Sequence, residues 1–360
     1  MAARPVAQPK LRSRKGGAAV PLDDIDRKVL NVMQGKFPIA KTPYAEVARI
    51  AEITEDEMLS RVERLIKDRI IRQVTPIFDT RALGFSSMLV AAKVDPEYPH
   101  RAANVINAHP GVTHNYLRDH EFNLWFTLAT GPDSKLGVDG TLDILAQEAG
   151  AESIRQLPTL NLFKIRMDLE MEGDTKSLST PQAEAVKPVE IEAVEYDDLD
   201  VRVIRALQGD MPIVREPYAA AAAEAGLTHE QMLTHLEGMQ ERGLLRRVAA
   251  ILFHRRAGFS ANGMGVWKVE PDRVLDVGAR MATYRGISHC YERPTYADWP
   301  YALFTMAHGR SKEECDAILE AIAEDTGITE RSVLYSSTEF KKIRMQYFTG
   351  EFEEWESAHS

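Results

Sequence analysis

Only two cysteines occur among 360 residues, Cys290 and Cys315. Neither stands at a spacing to another Cys or His that suits a metal site, and two thiols make no disulfide framework. A reducing cytoplasm is the expected setting. Long apolar runs are also missing: nothing reaches the about 18 residues that a membrane-crossing helix needs. The N-terminal stretch has scattered Arg and Lys but no apolar core of signal-peptide length, and is expected to be a disordered tail. Net positive charge is absent, since 54 acids against 44 Lys and Arg leave −10 at pH 7. That balance speaks against a chain whose task is to coat nucleic acid or an anionic membrane, although local basic patches stay open.

What the sequence does contain is a copy of itself. Asp23-Asp24-Ile25-Asp26 returns as Asp197-Asp198-Leu199-Asp200, Pro43-Tyr44 as Pro217-Tyr218, and Gly84-Phe85-Ser86 as Gly258-Phe259-Ser260. The spacing then drifts by a few residues, as insertions in loops allow. His114, Tyr116 and Arg118 match His289, Tyr291 and Arg293; Phe126-Thr127 matches Phe304-Thr305; Lys164-Ile165-Arg166-Met167 matches Lys342-Ile343-Arg344-Met345. A fixed repeat identifies the architecture before any single motif does. Residues 170–196, rich in Pro, Glu, Ser and Ala, form the expected tether. Two tethered homologous units predict an internal pseudo-dimer, alone or within a homodimer.

Each copy opens with helical signals. Ile25, Val29, Leu30 and Met33 recur at helical spacing, Thr42-Pro43 reads as a helix start, and Thr54 with Glu57 reads as a capping box. Strand-like stretches follow at Ile70–Phe78 and Leu244–Phe253, which together predict winged helix-turn-helix units. The second part of each copy reads β-α-β-β-α-β, the ferredoxin-like order. The fold class is therefore α+β, with two tandem copies of winged helix plus ferredoxin-like domain. The predicted boundaries are 1–21 tail, 22–83 and 84–169 for the first copy, 170–196 linker, 197–257 and 258–348 for the second, and 349–360 tail.

This order resembles the Lrp/AsnC transcription regulators, so a regulator that senses a small ligand or heme is one reading. Phosphate neutralisation supplies most of the affinity of such DNA binders. Here acids and bases cancel in both winged-helix segments, and the expected recognition helix begins Thr54-Glu55-Asp56-Glu57. Carboxylates suit a helix N-terminus and its dipole but meet DNA badly. Arg61, Arg64 and Lys67 remain the candidate phosphate contacts, and the winged helices read mainly as retained scaffold.

The unusual chemistry sits on the second ferredoxin-like strand. Alternate residues of a strand share a face. His114, Tyr116 and Arg118 therefore form one row, and His289, Tyr291 and Arg293 a second. Burying such groups without a polar ligand is costly, although a cross-strand hydrogen-bond set at a domain interface would also explain them. Aromatic residues on the next strand, Trp125 and Phe126, and Trp299, Tyr301 and Phe304, are mostly core, with some suited to wall a flat ligand. Lys164, Arg166, Lys342 and Arg344 alternate on the last strand, either on a solvated face or facing a polyanion. His109, His120, His308 and Cys290 read as surface or packing positions.

His114-Asn115-Tyr116-x-Arg118 followed by Asn123-x-Trp125-Phe126-Thr127 resembles the D-type subunit of the siroheme decarboxylases. His289-Cys290-Tyr291-x-Arg293-Pro294 followed by Trp299-Pro300-Tyr301 resembles the L-type subunit. The resemblance spans about residues 22–347 and implies a fused carboxy-lyase. Its implied reaction removes the ring-C and ring-D acetate carboxyls of siroheme on the way to d1-type heme or protoheme. No cofactor beyond the iron carried by the substrate is then expected, and no membrane or DNA partner. The implied proton donors are His114 and His289, unless one of them ligates that iron. Arg118 and Arg293 become the carboxylate clamps. Tyr116, Tyr291, Asn115, Trp125, Lys164, Arg166, Lys342 and Arg344 become further substrate contacts. One composite pocket between the halves would serve both histidines.

Overall fold

The computed structural model describes residues 22–165, 178–179, 194–253 and 261–359. Arg166, Gly258-Phe259-Ser260, the N-terminal stretch and almost all of the 170–196 linker lie outside them. The first copy runs α1 (Asp24–Gly35), α2 (Pro43–Ala51), α3 (Glu55–Lys67), β1 (Ile71–Phe78), β2 (Ser86–Lys93), α4 (Pro99–Ala108), β3 (His114–Arg118), β4 (Leu124–Thr130), α5 (Gly137–Ala149), β5 (Ser153–Leu157) and β6 (Asn161–Ile165). The second runs α6 (Asp198–Leu207), α7 (Ala219–Glu224), α8 (His229–Glu241), β7 (Leu245–Leu252), β8 (Ala261–Trp267), α9 (Val274–Ala282), β9 (Ile287–Glu292), β10 (Leu303–Gly309), α10 (Lys312–Thr326), β11 (Arg331–Lys342) and α11 (Glu351–His359). None of these helices is long and apolar enough to cross a membrane.

The helix starts follow local chemistry. Asp23 and Asp26 form a reciprocal capping box, as do Asp197 with Asp200 and Thr228 with Gln231. Thr54 accepts from the Glu57 amide, but the return bond is missing because the Glu57 carboxylate takes the Arg61 guanidinium at 2.9 Å. Thr42 makes no side-chain cap, and Pro43 alone marks that start.

The wing strands do not close within their own copies. β1 pairs antiparallel with β7, from Ile71 opposite Leu252 to Phe78 opposite Leu245. A lone strand leaves its backbone groups unpaired, and the homologous strand of the other copy supplies the partners. The two winged helices consequently share one apolar core, which includes Val29, Met33, Val74, Val203, Leu207 and Val248.

The ferredoxin-like parts interlock the same way in one nine-stranded sheet, ordered β5-β2-β4-β3-β11-β8-β10-β9-β6. The first half of β11 pairs with β8 of its own copy, and the second half crosses to β3 of the other. In the first copy β5 pairs with β2, then β6 crosses to β9. The sequence reading has one long last strand here. Pro158 interrupts it, because proline offers no ladder N–H. Val90, Ile106 and Leu145 pack between sheet and helices in the first copy, and Met281, Ile318 and Leu319 in the second. A fourth cluster joins the copies through Ala91, Trp125, Leu157, Met264, Phe304 and Leu334.

Two expectations change. The C-terminal tail is helical over Glu351–His359 and docks on the first copy, where Trp355 packs on His109 at 4.5 Å between ring centroids. Two of the three expected phosphate contacts on α3 are tied to acids: Arg61 to Asp23, Asp26 and Glu57, and Arg64 to Asp26. Glu55 and Asp56 hold Arg215 of the other copy. Cations already neutralised in this way have little left to offer a phosphate backbone.

Candidate functional site

Gly111 sets the entry to β3. A Cβ there would lie 1.8 Å from the Ala129 carbonyl oxygen, so only glycine lets the chain run this close to β4. From that entry the pleat puts His114, Tyr116 and Arg118 on the face toward the inter-copy core. His114 and Tyr116 ring centroids are 6.2 Å apart, and the Arg118 guanidinium lies 5.9 Å from the Tyr116 and Trp125 ring centroids. The second row repeats the arrangement. His289 and Tyr291 stack at 6.0 Å, and Arg293 lies 4.8 Å over Tyr291 and 5.4 Å from Phe304.

Both arginines are 8% exposed. Arg118 Nη1 donates to the Leu334 carbonyl at 2.7 Å, and Arg293 Nη1 donates to the Leu157 carbonyl, each across to the other copy. Among the described residues neither has a carboxylate partner, and the Nε of each is buried without an acceptor. Burial pushes both pKa values down to about 10, which still leaves them charged at neutral pH. A buried charge without its counter-charge costs several kcal/mol by the usual desolvation magnitudes, roughly. An anionic ligand is the natural relief.

Burial, then Lys342, then Arg72 push the His114 pKa down to about 4. Lys342 lies opposite His114 in register. Arg72 comes from β1, and makes no side-chain hydrogen bond or ion pair among the described residues. In the second row, burial raises the Tyr291 pKa, while Arg293, Arg81 and Arg246 pull it back. Arg246 is held by Asp79, whereas Arg81 has no such side-chain partner among the described residues. Cations from β1, β7 and the turn after β1 thus act on one group of each row, a contribution the sequence does not announce. Its trace there is that Arg72 and Arg246 keep the repeat spacing of their copies.

Other expectations are corrected by which face the pleat gives each residue. Asn115 points to the helix side and donates to Asn107 Oδ1 at 2.9 Å. Lys164 lies opposite Cys290, also on the helix side, and donates to the Tyr284 carbonyl. Its structural counterpart is Lys341, opposite Asn115 and bonded to the Asn107 carbonyl, rather than Lys342. Arg344 is engaged by Thr75 Oγ1 and the Pro76 carbonyl of β1. Phe126 faces the first copy's helices, whereas Phe304 faces the inter-copy core, so Trp125 is the true counterpart of Phe304. A one-residue slip in strand alignment exchanges the two faces. Three strands separate β3 from β9 in the sheet order. The cations that act on the two rows also differ: Lys342 and Arg72 on His114, and Arg293, Arg81 and Arg246 on Tyr291. No cluster of three or more metal-ligating side chains occurs among the described residues.

His109, His120 and Cys290 are packing groups, on Trp355, on Trp299 and toward the Gly278 carbonyl respectively. His308 is not: its Nε2 lies 2.7 Å from Ser288 Oγ. Burial lowers the His109 pKa to about 4 as well. An unfolded imidazole charges near pH 6.5. Between about pH 6.5 and pH 4 the unfolded chain takes up protons that folded His109 and His114 refuse, so stability falls with pH across that window and is unaffected above it. The expected loss at pH 5 is roughly 1–2 kcal/mol per histidine. Urea midpoints at pH 7 and pH 5 test this: His109→Gln should flatten the drop, and an unchanged drop would remove the account.

A family model described as an AsnC-like ligand binding domain matches residues 82–164 and 256–341. A second, described as a siroheme decarboxylase NirDL-like HTH domain, matches 26–72 and 200–246. Siroheme decarboxylase of Hydrogenobacter thermophilus is 37% identical over 331 residues, covering 91% of this chain and 96% of that protein. The siroheme decarboxylase beta subunit of Desulfovibrio desulfuricans is 42% identical over 156 residues, 43% of this chain and 98% of that one, which agrees with two fused units. A crystal structure of the siroheme decarboxylase NirDL in co-complex with an iron-uroporphyrin III analogue superposes with a TM-score of 0.73 at 32% identity, covering 94% of this chain and 100% of that one.

Proposed function

Because this chain belongs to the siroheme decarboxylase family, we propose that it removes carbon dioxide from the ring-C and ring-D acetate arms of siroheme, giving didecarboxysiroheme. The observation that carries this reading is the pair of buried guanidiniums without an acid partner among the described residues, each over a tyrosine ring that also packs on a histidine. Siroheme is a flat polyanion, and a guanidinium fork pairs with carboxylates in two parallel hydrogen bonds.

In this mechanism Arg118 and Arg293 hold carboxylates, with Arg72, Arg81 and Lys342 adding positive potential over the rings. Tyr116 and Tyr291 pack along the macrocycle and orient the imidazoles. Loss of carbon dioxide leaves an electron pair on the methylene carbon, which the conjugated macrocycle delocalises, so no further cofactor is invoked. His114 or His289 then delivers a proton to that carbon, and the arm becomes a methyl group. A histidine N–H aimed at a developing carbanion is a general acid.

Anaerobic incubation with siroheme, followed by product mass, tests the proposal. The expected product has lost two molecules of carbon dioxide. Unchanged siroheme under turnover conditions would overturn the reading.

A further inference from the structure

The two rows end differently behind their histidines. In the first, His114 Nδ1 lies 3.0 Å from Thr113 Oγ1, which lies 2.8 Å from Thr127 Oγ1. Thr127 Oγ1 also accepts from the His114 amide at 3.1 Å. That chain folds back on its own strand and contains only hydroxyls. In the second, His289 Nδ1 lies 2.7 Å from Ser288 Oγ, and Ser288 Oγ lies 2.7 Å from His308 Nε2.

The register explains why only one copy has the second imidazole. The Ala129 amide donates to the Gly111 carbonyl, and the His308 amide donates to the Gly286 carbonyl, so His308 takes the place of Ala129. Met306 stands opposite His289 where Thr127 serves His114. The hydroxyl that would close the second chain is therefore replaced by a thioether, and Ser288 turns to His308 instead.

A serine hydroxyl has one proton and two lone pairs, so between two imidazole nitrogens it couples their tautomers. If Ser288 donates to His289 Nδ1, it accepts from His308 Nε2–H, and the His289 proton is at Nε2. We propose that His308 is the proton-reloading residue of the second site. The proposal rests on the decarboxylase reading above. The C–C bond to the carboxylate breaks and carbon dioxide leaves. The electron pair stays on the methylene carbon and takes the Nε2 proton of His289. The Ser288 hydroxyl proton passes to His289 Nδ1, and the Nε2 proton of a His308 imidazolium passes to Ser288 Oγ. His308 and His289 both end neutral, with the His289 proton now on Nδ1. Between turnovers that proton returns through Ser288 to His308 Nε2 while His289 Nε2 takes one from solvent, which restores the starting state. The first site has no second imidazole behind Thr113 among the described residues, so nothing there resupplies His114 Nδ1 during the step.

The full chain is used to test this, with siroheme as the probe. Parent, His308→Gln and Ser288→Ala proteins are titrated with siroheme and then followed anaerobically for each decarboxylation. Either substitution should slow one of the two steps by about tenfold or more at unchanged siroheme affinity, with singly decarboxylated product accumulating. Added imidazole should recover part of the rate in a His308→Ala protein. Rates within about twofold of the parent in either variant would overturn the relay, as would equal slowing of both steps. If His308→Gln no longer binds siroheme, Ser288→Ala decides: a slowed single step supports the relay, and full turnover overturns it. A parent that leaves siroheme unchanged would instead refute the decarboxylase reading.

Discussion

Replacing His114 or His289 by alanine is expected to cut siroheme turnover by about 10²–10⁴-fold, the usual worth of a positioned general acid, while siroheme still binds. Each imidazole sits at the end of a row whose arginine is anchored elsewhere, so its removal leaves the carboxylate clamp in place. Affinity should therefore change far less than rate. Burial, then Lys342 and Arg72, favour the neutral form of His114. A bound polycarboxylate opposes those two cations and moves the imidazole back toward protonation, which readies it for proton delivery. Spectroscopic titration with siroheme and product analysis separate binding from chemistry. Full turnover in both variants would leave the histidines without a role in the reaction.

Arg118→Met and Arg293→Met should produce opposite effects on stability and on binding. Each guanidinium is buried with no acid beside it among the described residues, and burial has already lowered its pKa. Methionine fills much of the same stem without the charge. It leaves the Leu334 or Leu157 carbonyl without its donor, a cost of roughly 1–3 kcal/mol, but removes an uncompensated charge of larger penalty. The ligand-free variant should unfold at the parent's midpoint or higher. Siroheme affinity should fall about 10–100-fold, the equivalent of one lost charge-assisted hydrogen bond. A lower midpoint together with unchanged affinity would make these arginines purely structural.

The repeat, the α+β class and both His-x-Tyr-x-Arg rows were legible in the chain because each rests on local rules. Caps mark helix starts, pleats alternate faces, and a duplicated pattern survives loop insertions. The regulator reading finds no support in the comparisons, and the acids of Glu55, Asp56 and Glu57 already spoke against it. Strand register was less legible. Identical letters pair Phe126 with Phe304 and Lys164 with Lys342, yet the paired backbone sets Trp125 with Phe304 and Lys164 with Lys341. Bulges near Leu162 and Glu339 shift the count, and identity alone does not reveal a bulge.

The sequence by itself determined the two units, their element order and the residues of each row, since these depend on neighbours along the chain. Only the tertiary structure decided that β1 pairs with β7, that β6 and β11 exchange copies, and that Arg72 and Arg81 act electrostatically on His114 and Tyr291. It also decided that Asn115 and Arg344 serve the scaffold and that His308 stands behind His289. Those outcomes follow from backbone groups seeking hydrogen-bond partners far away in sequence, and no local pattern encodes which distant strand will supply them.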